Sequence, residues 1–274
     1  MTDITSTVRL RTGAEMPRIG LGVFQAPSGE ETRNAVLNAL RVGYRHFDTA
    51  KIYGNEADVG DAIRESGIPR DEIFVTTKLW NDDQGYESAL RVYDRQLATL
   101  GLETVDLYLM HWPVAEKRLD SWRAMEQLFI EGRVKAIGVS NFMTWHLEEL
   151  LEYANEVPAV NQIEISPFFQ QREVRALCAE HGIVVEAYSP LTKGLKLGDP
   201  TVVTVANECR RSPAQVMLRW CLQHDLVVLP KSVHAERIAE NFDLYDFNLA
   251  DEQMARLDAL EEGLVTGWDP RTWK

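Results

Sequence analysis

Short apolar runs alternate along the chain with longer segments in which apolar residues recur at helical spacing. The runs are rich in Val, Ile, Phe and Tyr. This alternation is typical of βαβ units around a parallel sheet. Eight such runs are found, which is the number of strands in a (β/α)8 barrel. The predicted strands are residues 19–22, 44–48, 73–77, 107–111, 136–140, 160–164, 184–188 and 227–230.

Helices are predicted between these strands and after the last of them. The clearest start is at Ser212, which can cap a helix that has Pro213 at its first position and Gln215 in the capping-box place. A small hairpin, formed by residues 8–10 and those before Pro17, is expected to close the barrel floor. The predicted helices are residues 31–41, 57–65, 86–100, 121–131, 145–153, 172–181, 201–208, 213–224, 235–242 and 251–260.

No low-complexity linker or shift in composition divides the chain. Its 274 residues are 45% hydrophobic and 26% charged, which is enough to bury a sizeable core. Barrels of ~250 residues commonly form one unit. We therefore expect one α/β domain over residues 1–274, a (β/α)8 TIM barrel with an N-terminal β-hairpin floor and two extra helices. An open doubly wound sheet is the main structural alternative.

The charge of the chain narrows the classes of partner. There are 29 Lys and Arg residues against 42 Asp and Glu residues, so the formal charge is −13. Nucleic acids and anionic membranes repel such a protein at long range. No apolar run approaches the ~18 residues of a membrane span, and residues 1–13 lack the apolar segment of a signal peptide. We expect a cytoplasmic protein, and a monomer because no apolar stripe requires a partner helix.

The cysteines fit a reducing compartment. Cys178, Cys209 and Cys221 are an odd number, and no C-x-x-C spacing occurs among them. We interpret all three as residues that pack helices, with no redox or metal role.

The sequence Gly20-Leu21-Gly22 follows a possible strand and could be read as part of a dinucleotide-binding fingerprint. The third glycine is missing, and no acidic residue closes a first βαβ unit ~20 residues later. The fingerprint therefore fails, and any nucleotide must be bound in another way.

Polar residues occur at or just after the predicted strand ends. In a (β/α)8 barrel these positions share one rim, where the chemistry of such enzymes is found. Taken singly, Asp48 could be a helix cap, His111 a core residue and Lys78 a solvated one. Together they are hard to dismiss, because unpaired charges that converge on a barrel mouth are costly unless they are paired or useful. The rim residues are Asp48, Lys78, His111, Ser140, Asn141, Gln162, Glu164, Tyr188, Lys231 and Ser232.

The segment around the rim residue Asp48 closely resembles the signature of aldo-keto reductases. It is residues 43–56, GYRHFDTAKIYGNE. Four further segments match in order: 77–80, 109–113, 138–142, and 229–232 together with Arg237 and Asn241. The chain is most similar to compact bacterial members such as 2,5-diketo-gluconate reductase, and the resemblance covers essentially its whole length.

The resemblance implies a catalytic set of Tyr53, Asp48, Lys78 and His111. Reduction of a carbonyl needs an acid, and a free Tyr, with a pKa of about 10, is a slow proton donor at neutral pH. A Lys78 ammonium is expected to lower the pKa of Tyr53, and Asp48 to hold Lys78 in place. His111 is expected to hydrogen-bond the substrate oxygen. No side chain supplies a hydride, so a nicotinamide cofactor is required.

The resemblance also implies how the cofactor is held. Two cations and a hydroxyl, Lys231, Arg237 and Ser232, suit a 2′-phosphate better than a bare ribose, so NADP(H) is preferred over NAD(H). Lys193 is a further candidate charge partner in the loop of residues 189–194. The remaining contacts implied are the nicotinamide amide with Ser140, Asn141 and Gln162, its ring with Tyr188, the pyrophosphate with the loop of Ser189 and Leu191, and adenine with Glu240 and Asn241.

The implied substrate pocket is apolar and aromatic. It is lined by Phe24, Trp80, His111 and Trp112, and Phe24 departs from the Trp that is common in relatives. We expect a small or medium aldehyde, ketone or keto-sugar as the substrate.

Two other readings compete with a carbonyl reductase. The His46-x-Asp48 spacing mimics a pair of metal ligands in a barrel hydrolase, but no further cluster completes such a site, so no metal is predicted. A structural or sensory NADP-binding protein is the non-enzymatic alternative. Loss of the acid would indicate it, and Tyr53 is present.

Overall fold

Eight parallel strands form a closed barrel in the computed structural model, which describes residues 6–273. The strands are β1 (Thr7–Arg9), β2 (Glu15–Pro17), β3 (Leu21–Gly22), β4 (His46–Asp48), β5 (Phe74–Leu79), β6 (Val105–Met110), β7 (Val134–Ser140), β8 (Val160–Glu164), β9 (Val184–Tyr188) and β10 (Val227–Leu229). Strands β3 to β10 are neighbours in chain order, and β1 pairs with β2 as an antiparallel hairpin. The barrel closes where Ile19 bridges to Val228 and Gly22 to Lys231. The predicted barrel and hairpin are confirmed.

Helices connect the strands and surround the sheet. They are α1 (Glu30–Val42), α2 (Glu56–Glu65), α3 (Tyr86–Leu100), α4 (Arg118–Ile130), α5 (Thr144–Tyr153), α6 (Arg172–Glu180), α7 (Pro200–Cys209), α8 (Pro213–Gln223), α9 (Ala235–Phe242) and α10 (Asp251–Asp258). The predicted capping box is present, because the Ser212 hydroxyl accepts from the Gln215 N–H and Gln215 Oε1 accepts from the Ser212 N–H. Within residues 6–273, no helix has the length and apolar character needed to cross a membrane.

The strand bounds differ from the predictions mainly where a neighbouring strand extends the pairing. β5 continues to Leu79 because Lys78 pairs with Leu109 and Leu79 with Met110 across the sheet. Lys78 therefore lies within a strand and not after it. The range 19–22 shrinks to Leu21–Gly22, because only these two residues are paired along β4.

The lower half of the barrel is filled by apolar side chains. Alternate residues of each strand face inward, so one side of every strand contributes to this interior core. Leu10 and Met16, which belong to the hairpin region, pack against it and close the floor. The strand residues of this core include Phe74, Leu107, Leu109, Ala136, Val160 and Val227.

A larger apolar core lies between the sheet and the surrounding helices. Trp122 and Trp220 are its largest fully buried side chains. Cys178 and Cys221 are buried in it and Cys209 packs against it from α7, all three as free thiols, which agrees with the predicted packing role.

Gly20 has a structural role that differs from the nucleotide-binding one considered above. A Cβ atom at this position would lie 2.7 Å from the Leu229 side chain and 2.8 Å from the His46 ring. These distances are shorter than real Cβ contacts, so only glycine lets the chain pass the His46 side chain at the point where the barrel closes.

Candidate active site

A buried ion pair lies at the carboxyl ends of β4 and β5. The Lys78 ammonium donates to both carboxylate oxygens of Asp48, at 2.6 Å and 2.7 Å, and to the main-chain oxygen of Thr49 at 3.1 Å. The Lys78 side chain is fully buried and Asp48 is 4% exposed. Burial of both charges is tolerated because each neutralises the other at contact distance. The solvated Lys78 that the sequence left open is excluded.

Tyr53 approaches this ion pair from a short helical turn, Lys51–Tyr53, that follows β4. Its hydroxyl lies 3.3 Å from the Lys78 ammonium. Its ring centroid lies 5.0 Å from that of Phe24 and 5.7 Å from that of His111. The fold thus brings together all four side chains of the predicted catalytic set, although two strands, the residue after a third strand and a short helical turn supply them.

The pKa of Tyr53 departs from the expectation. Burial raises it well above the ordinary value of 10.0, and the carboxyl groups of Asp48 and Glu186 raise it further. Lys78 does not reverse this, because Asp48 already balances its charge at close range. The prediction that Lys78 lowers the pKa of Tyr53 is wrong for the protein by itself. Tyr53 is therefore a protonated phenol at neutral pH.

His111 is neutral and directly follows β6. Burial lowers its pKa well below 6.5, and the positive charge of Lys78 lowers it further. Its Nδ1 is buried and has no hydrogen-bond partner among residues 6–273. A buried N–H without an acceptor is costlier than an unused lone pair, so the hydrogen of the neutral ring resides on Nε2. His111 can therefore donate one hydrogen bond from Nε2.

Ser140 and Asn141 lie side by side at the end of β7. The Ser140 hydroxyl donates to the main-chain oxygen of Gln162 at 2.8 Å. Asn141 has a φ of 65°, and its amide donates to the main-chain oxygen of His111 at 2.9 Å. The Tyr188 hydroxyl donates to Asn141 Oδ1 at 2.8 Å. Neither Ser140 nor Asn141 caps α5, whose N-cap residue is Met143.

Gln162 joins this cluster to the ion pair. Its Nε2 donates to Asp48 Oδ2 at 2.8 Å and to Glu186 Oε2 at 2.6 Å. Both amide hydrogens are therefore committed inside the barrel, and Gln162 Oε1 remains as the acceptor of that side chain.

The cations after β10 are free of ion pairs. Lys231 and Arg237 are exposed, and neither contacts a carboxylate within the described part of the chain. Ser232 lies between them, 7% exposed, and its hydroxyl accepts from the His234 N–H at 3.1 Å. Asn241 is buried on α9. On a chain with a formal charge of −13, these two unpaired cations lie close together in sequence and give this segment a local positive charge.

The loop after β9 is tied to the C-terminal tail. Ser189 has a φ of 49°, and Leu191 packs against the core between the sheet and the helices. Lys193 donates from Nζ to the main-chain oxygen of Thr266 at 2.7 Å. In this structure its ammonium contacts the tail, so Lys193 is not a free charge partner.

Tryptophans surround the mouth above Tyr53. Trp80 lies 5.2 Å from the His111 ring, centroid to centroid. Trp112 stacks on Trp273 of the tail at 4.9 Å, and Trp268 lies 5.6 Å from Trp112. Trp268 is 60% exposed. The predicted pocket residues thus lie together, and both Phe24 and His111 contact the Tyr53 ring.

A metal centre is not formed at His46 and Asp48. Within residues 6–273, no group of three or more His, Cys, Asp or Glu side chains is arranged to hold a metal ion. Asp48 is instead engaged by Lys78 and Gln162.

Comparison with known proteins identifies the family to which this arrangement belongs. The model of the aldo/keto reductase family matches residues 18–262. The chain belongs to the aldo/keto reductase family. This reductase is 49% identical to the 9,11-endoperoxide prostaglandin H2 reductase of Trypanosoma cruzi, over 96% of this chain and 94% of the relative. It is 47% identical to the glyoxal reductase of Bacillus subtilis, over 98% of both chains.

A solved relative supports the same assignment. A mutant of Gox0644 crystallised in complex with NADPH superposes on the reductase with a TM-score of 0.93 at 42% identity. The match covers 98% of this chain and 99% of that one. The family resemblance carried by the sequence motifs is confirmed.

Some residues of the site are absent from the sequence predictions. Trp268 and Trp273 belong to the C-terminal tail, which is remote in sequence from most of the rim residues. No local sequence pattern predicts that they lie at the mouth. Thr266 anchors the tail through its N–H and hydroxyl, which donate to Glu164 Oε1 at 2.9 Å and 2.5 Å. Glu186 could have been predicted as a residue of the barrel interior, because it lies two residues before Tyr188 and therefore on the same inward face of β9.

Proposed function

We propose that this aldo-keto reductase reduces aldehydes, ketones or keto-sugars to alcohols, with NADPH as the hydride donor and Tyr53 as the general acid. The observation that carries the proposal is the 3.3 Å contact between the Tyr53 hydroxyl and the buried Lys78 ammonium, beside a neutral His111. A phenol with an adjacent cation and a second hydrogen-bond donor is the equipment that carbonyl reduction requires.

The side chains around the mouth fit NADP(H). Lys231 and Arg237 are unpaired within residues 6–273 and offer charge-assisted hydrogen bonds to a 2′-phosphate. Gln162 Oε1 is an uncommitted acceptor for a carboxamide N–H. The NADPH complex of the Gox0644 mutant agrees with this cofactor. The residues proposed to hold it are Ser140, Asn141, Gln162, Tyr188, Ser189, Leu191, Lys231, Ser232, Arg237, Glu240 and Asn241.

When bound, NADPH supplies the hydride that adds to the carbonyl carbon. Tyr53 and His111 both donate hydrogen bonds to the carbonyl oxygen, where negative charge develops. The Tyr53 proton then passes to that oxygen and completes the alcohol. The phenolate left behind lies beside Lys78, whose ammonium donates a hydrogen bond to it and so reduces part of the cost that burial imposes on the anion. Tyr53 regains its proton from solvent before the next turnover.

The mouth favours a carbonyl compound with an apolar part. We assign the pocket walls to Phe24, Trp80 and Trp112, and a further wall to Trp268 of the tail, because their rings contact Tyr53, His111 and one another around the mouth. The Bacillus subtilis relative is a glyoxal reductase, so small dicarbonyls are the first compounds to test.

Replacement of Tyr53 by Phe tests this proposal. The variant removes one hydroxyl and keeps the ring, so we expect the Kd for NADPH to stay within about twofold while kcat falls roughly 10²- to 10⁴-fold, the contribution of a positioned acid. Oxidation of NADPH is followed by absorbance against a panel of aldehydes and dicarbonyls. Tyr153→Phe, which changes an exposed phenol on α5, serves as the control. Undiminished turnover by Tyr53→Phe would refute the assignment of the acid.

A further inference from the structure

A line of polar side chains runs down the barrel interior from the Asp48–Lys78 pair. Gln162 lies below Asp48 and donates to it and to Glu186 from the same nitrogen. Glu186 is fully buried at the middle of β9, where it is in register with Gln162 of β8 and with Val227 of β10. A carboxyl group at the centre of a barrel is costly, so its presence calls for a specific role.

Few hydrogen-bond donors or cations surround Glu186 that could stabilise a negative charge on its carboxyl group. Its Oε2 accepts from Gln162 at 2.6 Å, and its Oε1 has no hydrogen-bond partner assigned among residues 6–273. The titratable groups that face it are Asp48 and His46 from β4 and Lys78 from β5, and Lys78 is already paired with Asp48. Burial and the negative charge of Asp48 raise the pKa of Glu186 to about 8. At neutral pH its carboxyl group therefore carries a proton.

The neighbouring imidazole indicates where that proton lies. His46 Nδ1 is 3.3 Å from the main-chain oxygen of Pro17, which can only accept, so Nδ1 carries the hydrogen. Burial lowers the pKa of His46 to about 4, which leaves Nε2 with a free lone pair. That lone pair faces Thr76 Oγ1 at 3.3 Å and Glu186 Oε1 at 3.4 Å. The contact of His46 with Glu186 therefore joins two neutral groups and is not an ion pair.

We propose that Glu186 is a positioning residue, a neutral carboxylic acid held between Gln162 and His46 that fixes the side-chain amide of Gln162. With the Gln162 nitrogen shared by Asp48 and Glu186, the amide cannot rotate, and Oε1 is held as the acceptor for the carboxamide of the cofactor. This inference rests on the proposed use of NADPH.

The neutral state of Glu186 also matters for the ion pair and for Tyr53. An ionised Glu186 would place two carboxylates, its own and that of Asp48, on the one amide nitrogen of Gln162, and their repulsion would displace the Gln162 side chain. It would also place a second negative charge near Lys78. The same charge disfavours the Tyr53 phenolate. Cofactor affinity and turnover therefore decline together when Glu186 loses its proton.

Two variants of Glu186 test the proposal in the full chain. Glu186→Leu removes the hydrogen bond from Gln162 and the contact with His46, so we expect the Kd for NADPH to rise roughly tenfold, the effect of one lost hydrogen bond, with a smaller change in kcat. Glu186→Gln can accept from Gln162 and donate to His46, so it restores the affinity of the wild type at pH 6.5. The Kd is read from quenching of tryptophan fluorescence, and kcat and KM are measured from pH 6 to pH 10.

The pH profile separates positioning from a purely structural role. We expect the affinity of the wild type to fall above pH 8 as Glu186 ionises, whereas Glu186→Gln holds its affinity over that range. Glu126→Gln is the matched control, because Glu126 is a buried carboxyl group on α4 that accepts from the main-chain N–H groups of Asn155 and Glu156. Its profile should match that of the wild type.

Two results would overturn the proposal. One is a Glu186→Leu protein that binds NADPH as tightly as the wild type. The other is an alkaline decline that persists unchanged in Glu186→Gln, and this result decides the matter even where Glu186→Leu does not fold. A wild-type protein that fails to bind NADPH at any pH would instead contradict the proposed function.

Discussion

Substitutions of Lys78 and its partner Asp48 are expected to affect the free energy of unfolding and the activity differently. The Lys78 ammonium is fully buried and contacts both oxygens of Asp48, at 2.6 Å and 2.7 Å. Lys78→Met keeps a similar volume but leaves a buried carboxylate whose remaining side-chain donor is the neutral amide of Gln162. Removal of one partner of a buried pair costs about 3–5 kcal/mol. For a protein of this size, that loss lowers the Tm by on the order of 10 °C.

The double variant Lys78→Met with Asp48→Asn makes the prediction specific. It removes both charges and leaves no uncompensated carboxylate, so the free energy of unfolding should recover most of the loss. Activity should not recover, because the cation beside the Tyr53 phenolate is still missing. Stability and activity therefore separate in the double variant, which a nonspecific packing defect at Lys78 would not produce.

Urea unfolding followed by tryptophan fluorescence measures these stabilities, and NADPH absorbance measures the activities. Arg123→Met is the control, because Arg123 and Asp120 form an exposed pair at 3.7 Å. Such pairs contribute about 0–1 kcal/mol, so the midpoint of this variant should barely move. If Lys78→Met were as stable as the wild type, or if the double variant were no more stable than Lys78→Met, the reasoning from buried charge would be refuted.

Three further predictions concern the cofactor, the pH dependence and the metal. Arg237→Ala should raise the KM for NADPH far more than that for NADH, because the unpaired guanidinium is proposed to contact the 2′-phosphate, and equal effects in steady-state kinetics would contradict that role. Unfolding releases the proton that Glu186 holds with its pKa of about 8, so the wild type should lose stability as the pH rises from about 4.5 to 8, and urea midpoints for Glu186→Gln should show a smaller loss. Exhaustive chelation should leave NADPH oxidation unchanged, and loss of activity that added metal restores would revive the metal alternative.

The polar residues at and just after the strand ends allowed much of the site to be predicted. In a parallel barrel, an inward residue at a strand end must lie on the common rim, so Asp48, His111 and Tyr188 could be placed from strand positions alone. The same reasoning reached Gln162 at β8. It left unassigned the tail residues that complete the mouth, because Trp268 and Trp273 reach Trp112 through tertiary contacts that no local pattern encodes.

The ionisation states of the site residues could not be predicted from their positions in the strands. Two sequence motifs that bring Lys78 and Tyr53 to one site suggest a lowered pKa for Tyr53. The direction of the pKa shift, however, depends on burial and on every neighbouring charge. Burial raises the pKa of Tyr53, Asp48 and Glu186 raise it further, and Asp48 also balances the charge of Lys78. These contributions come from strands that are far apart in the chain and meet only inside the closed barrel.

The sequence by itself determined the order of strands and helices, the barrel, the family and the residues of the rim. These properties depend on local spacing and on which face of a strand a residue occupies, and both are written in the chain. The tertiary structure alone decided which carboxyl groups share the amide of Gln162, which ring nitrogen of His46 faces Glu186, and that the tail covers the mouth. Such facts depend on desolvation and on distances of a few ångströms between residues remote in sequence, so they exist only once the barrel has closed.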